Sequence, residues 1–103
     1  MKKQPTPTDV VTANAFRLKD ENGLTRALLT TLDCGRPTLL LFDGQGQSRL
    51  EVGLQINGAP KFVFNCEDDI TLVVEVSQDK QPVLQVIRNG NPAAFQLNQV
   101  KMV

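Results

Sequence analysis

Between residues 47 and 56 apolar and polar side chains take turns: Leu50, Val52, Leu54 and Ile56 alternate with Arg49, Glu51, Gly53 and Gln55. Residues 70–77 repeat the pattern, with Ile70, Leu72, Val74 and Val76 set against Thr71, Val73, Glu75 and Ser77. A period of two is the mark of a strand with one face toward a core, and it excludes an amphipathic helix of period 3.6. No stretch of ten residues shows a helical period; Thr25–Leu32 could make one helical turn, but its threonines and the Asp33-Cys34-Gly35 that follow favour a strand.

The turns between these runs recur. Asp20-Glu21-Asn22-Gly23 and Asp43-Gly44-Gln45-Gly46 are 23 residues apart, and so are Arg26 and Arg49. Pro37, Pro60 and Pro82 follow one another at 23 and then 22 residues, each opening an apolar run after a turn-like cluster. Aspartate bonds its own backbone in a turn and glycine takes positive φ, so these phrases read as hairpin turns. Proline at the first residue of a strand interrupts little of the ladder. Strands are expected at 13–19, 24–32, 37–43, 47–56, 60–66, 70–77, 82–88 and 93–101. Their short links suit an antiparallel meander. The expected fold is therefore all-β: one β-repeat domain over 13–103 behind a flexible segment at 1–12. It would be closed as a barrel or two-layer sandwich, or completed by oligomerisation.

A unit of the form D-x-x-G, alternating strand, then G-x-P-x-L-x-L resembles short tandem β-repeats of bacterial proteins. The likeness covers residues 16–90 and rests on Asp20/Gly23, Asp43/Gly46, Gly35/Pro37 and Gly58/Pro60. In the third copy Cys66 stands in the aspartate position and Asp69 in the glycine position. The resemblance implies a repeated scaffold and no activity.

Composition narrows the chemistry. The chain has no histidine, which removes Ser-His-Asp and Cys-His catalysis and histidine zinc sites. Eleven basic residues balance eleven acidic ones, giving no reason to expect nucleic acid or an anionic membrane as partner. Two cysteines, Cys34 and Cys66, are too few for a secreted disulfide scaffold, and the opening MKKQPTPTDVV lacks the apolar stretch of a signal peptide. A cytoplasmic, non-enzymatic protein without cofactor or metal is expected. Cys66, beside phenylalanines, reads as a small apolar residue, and Cys34 as a turn residue with no base to activate it.

Two surfaces merit attention. A meander sorts its turns onto two ends, and one end collects Asp20, Glu21, Asp43, Glu67, Asp68 and Asp69. Carboxylates are what Ca²⁺ takes, although no loop here has the spacing of a calcium motif; solvated turns or a weak cation site are both open. The second surface follows from parity. Leu39, Leu41, Phe62, Phe64, Leu84 and Val86 fall on the face expected to build the core. Leu40, Phe42, Val63, Val73, Val83 and Ile87 fall on the opposite face. Large contiguous apolar patches are rare on monomers, so that second face is expected to be buried internally or to meet another subunit, a dimer first of all, or another protein. A module that self-associates is the leading function. A small barrel holding an apolar molecule is the alternative, weakened by the absence of Trp and Tyr.

Overall fold

In a computed structural model that describes residues 9–77 and 79–96, the chain forms one antiparallel sheet of eight strands in strictly sequential order. The strands are β1 (Phe16–Lys19), β2 (Thr25–Leu32), β3 (Arg36–Phe42), β4 (Ser48–Leu54), β5 (Pro60–Asn65), β6 (Ile70–Val76), β7 (Pro82–Arg88) and β8 (Asn91–Gln96). All eight expected strands are present, and a 3₁₀ turn at Asp33–Gly35 joins β2 to β3. No helix among the described residues is long and apolar enough to cross a membrane.

The hairpins form where turn chemistry demands them. At the β1–β2 link, Asp20 N–H donates to the Leu24 carbonyl and Gly23 N–H to the Asp20 carbonyl. The β3–β4 link repeats both bonds at Asp43–Gln47 and Gly46–Asp43, and the β4–β5 link at Gln55–Ala59 and Gly58–Gln55. Each is a three-residue loop closed by a residue in the left-handed region, at φ 83° for both Gly23 and Gly46. In the β5–β6 turn Asp68 and Asp69 take that conformation at φ 62° and 57°, without glycine's freedom. The last link corrects the sequence reading. Asn89 and Gly90 both have positive φ, making a two-residue hairpin in which Arg88 pairs with Asn91. β8 therefore starts at Asn91 rather than 93; the expected extension to 101 lies outside the described residues, as do residues 1–8.

The sheet does not close. β1 and β8 are its two edges, and no second layer of described residues lies on either face. Its extents are 47 × 44 × 30 Å and its radius of gyration 17.1 Å, where a compact chain of this length would have about 13 Å. The chain exposes 8310 Å², against roughly 5,700 Å² for a folded monomer of this mass. Among the described residues only Val73, at 7 %, and Thr38, at 2 %, are buried. The expected core is absent for a physical reason. Glycine kinks along the strands help a sheet to curl into a barrel, and of the glycines only Gly53 lies inside a strand.

Candidate interaction surface

Register fixes which side chains share a face. Leu29 pairs with Leu39, Leu39 with Val52, Val52 with Phe62, Phe62 with Val74 and Val74 with Leu84, with Phe16 beginning the row opposite Leu29. The neighbouring row runs from Leu18 through Ala27, Leu41, Leu50, Phe64 and Leu72 to Val86. Neither row contains a charge. At the end away from the aspartate turns a partial third row adds Pro37, Leu54, Pro60, Val76 and Pro82. This first face, expected to be the covered core, is the more open of the two: Leu29 is 47 % and Phe62 41 % exposed. On β5 the rings of Phe62 and Phe64 lie side by side, centroids 6.5 Å apart and planes 10° from parallel. Leu29, Pro37, Leu39, Val52, Leu54 and Phe62 line a shallow apolar hollow of about 400 Å³.

The second face carries all six residues expected there, but the structure splits them. Leu40, Val63 and Val73 share one row, in which Glu51 separates Leu40 from Val63 and Gln85 follows Val73. Val83 lies next to Glu75 in a row with Thr38, Gly53 and Lys61, where Lys61 Nζ lies 4.0 Å from Glu75 Oε2. Phe42 and Ile87 sit near the opposite end, among Ser48, Asn65 and Thr71. None of the six is exposed. Apolar continuity thus belongs to the first face, which sequence parity identified but assumed to be covered.

The acidic turns do not converge. Turns on one end of a meander are two strand spacings apart, or about 10 Å, whereas Ca²⁺ gathers its oxygens within about 2.6 Å. Among the described residues no three His, Cys, Asp or Glu side chains are grouped to hold a metal ion. Two of the carboxylates serve the fold instead. Asp43 Oδ1 accepts the Gln45 and Gln47 N–H groups at 2.9 and 3.0 Å, and its Oδ2 accepts Arg49 Nε at 2.8 Å. Asp20 does the same for Asn22 and Leu24, with Arg26 at 3.6 Å. Arg26 and Arg49 are the unpaired residues of two bulges, where the register slips beside Leu18 and Leu41. From there Arg26 donates to the Phe42 carbonyl and Arg49 to the Asn65 carbonyl, each reaching the turn two strands beyond its own aspartate turn.

These contacts lower both carboxyl pKa values. For Asp43 the Gln47 and Gln45 N–H groups lead, outweighing partial burial, with Arg49 adding to them. For Asp20 the upward push of partial burial is the largest single influence, but the Leu24 and Asn22 N–H groups and Arg26 together exceed it.

Both cysteines are exposed and unbridged, in turns on opposite ends of the sheet. Cys66 therefore does not pack as an apolar residue. It follows the last residue of β5 and opens the acidic turn, where its N–H donates to the Ile70 carbonyl. No family model, curated protein or solved structure matches the chain.

Proposed function

We propose that this chain is a non-enzymatic β-repeat module that acts by self-association. The observation that carries the reading is an eight-stranded sheet one layer thick, with large apolar side chains open to solvent. Cross-strand pairs contribute only ~0.2–1 kcal/mol each, and a sheet gains most of its stability when a second layer covers it. Asp20 and Asp43 are engaged in closing turns, and Arg26 and Arg49 in tying strands together. Two exposed, unbridged thiols fit a reducing, cytoplasmic setting.

Light scattering over a wide concentration range tests the reading. A multiple of 11.3 kDa is expected, twice that mass most simply. The mass of one chain at every concentration would refute it. The apolar hollow of about 400 Å³ favours a second reading, a site for a small apolar molecule. A monomer binding one equivalent of an apolar fluorophore, with displacement by Leu39→Lys, would support that alternative.

A further inference from the structure

We infer that the partner is a second copy of this chain seated on the first face, the two sheets packing apolar side to apolar side in a two-layer sandwich. The inference rests on the reading of the chain as self-associating, and adds which surface does it.

Three routes of association are open to a lone sheet, and two are blunted. Edge pairing needs a long strand with free N–H and C=O groups. β1 has only four residues, Phe16–Lys19, two of them basic, and β8 carries Pro92, which has no N–H to give. Packing through the second face would take Glu51, Lys61 and Glu75 out of water together with the apolar residues between them. Desolvating a charge is costly unless it is well paired, and the Lys61–Glu75 contact, at 4.0 Å, is a loose one.

The first face carries no such cost in either of its two full rows, and its size is sufficient. Eight strands spaced about 4.8 Å apart span ~38 Å, and two rows and part of a third add ~17 Å in the other direction. The footprint is roughly 650 Å² per copy, or ~1,300 Å² for both, within the ~1,200–2,000 Å² of a stable interface. Aligned sheets interdigitate their inner side chains over ~10 Å, and the hollow bounded by Leu29, Pro37, Val52 and Phe62 gives such side chains a place to enter.

The test uses the wild-type chain with Leu and Val methyl groups labelled for NMR and a soluble gadolinium chelate as a relaxation probe, alongside light scattering. The expected result is a doubled mass with the Leu29, Leu39, Leu41 and Val52 methyls shielded, while Leu40 and Val63 are broadened. A doubled mass with the shielding reversed would overturn this inference and leave self-association standing. The mass of one chain with the first-face methyls broadened would overturn both. A single-chain mass with those methyls shielded would mean that the face is covered from within the chain, and would also overturn it. Leu29→Asp with Phe62→Asp supplies a second arm. Both sites are open in the protomer, so the sheet should survive while association weakens by about 100-fold or more. An unchanged association constant would refute the proposal.

Discussion

Gly53 stands in β4 opposite Thr38, the most buried side chain described, and the two define a test of how tightly a single-layer sheet is packed. A Cβ at position 53 would lie 3.0 Å from the Pro37 carbonyl oxygen, 3.0 Å from Thr38 Oγ1 and 3.4 Å from Thr38 Cα. The first two contacts are a few tenths of an ångström too short. Pro37 is paired with Thr31 of β2, and Thr38, 2 % exposed and paired with both neighbouring strands, has little room to turn. Forcing one methyl into such a site costs ~1–3 kcal/mol. Replacing glycine in a strand returns ~0.5–1 kcal/mol by restricting the unfolded chain. Gly53→Ala should therefore destabilise by about 0.5–2 kcal/mol, a drop of several degrees in Tm. Urea unfolding followed by far-UV circular dichroism measures it, at one fixed protein concentration because association adds its own stability. Thr38→Ala removes one of the two short contacts, so Gly53→Ala should cost ~0.5–1 kcal/mol less in that background. A higher midpoint for Gly53→Ala, or an equal cost in both backgrounds, would refute the reasoning.

Two further expectations concern the turns. The depressed carboxyl pKa values of Asp20 and Asp43 mean that the folded state holds fewer protons than the unfolded chain near their ordinary value of 3.8. The stability they add is present above that value and lost as pH falls through the folded values. Asp43→Asn should flatten the acid limb of a stability–pH curve below about pH 4, and an unaltered limb would count against the clasp. At the β5–β6 turn, Asp69 takes φ 57° where three other turns have glycine; Asp69→Gly should stabilise by about 0.5 kcal/mol in the same urea assay, relief of left-handed strain exceeding glycine's entropy.

Strand number, order and facing were legible because a period of two and a turn every ten or so residues leave little freedom. Leu39 and Leu40 had to point to opposite sides, and they do. The β7–β8 link was misjudged because Asn89-Gly90 was not taken as a two-residue hairpin, although Asn-Gly is a strong short-range signal for one. Exposure was the larger miss. Alternation tells which side chains lie together but not whether anything lies over them, so an apolar face reads as core whether the covering layer comes from the same chain or another. The near absence of glycine from strand interiors was the available hint that the sheet stays open. The Asp43–Arg49 clasp escaped notice because it depends on a bulge, which shifts Arg49 out of the simple alternation.

The strict sequential order of the strands governs how this sheet comes apart. Each strand is hydrogen-bonded only to its neighbours in the chain, so no contact waits on the closing of a long loop and folding can begin at any hairpin and spread. Opening then begins as fraying inward from the two ends, before the central strands unfold together. Amide hydrogen exchange should be fastest in β1 and slowest in β4 and β5, where three strands stand guard on either side.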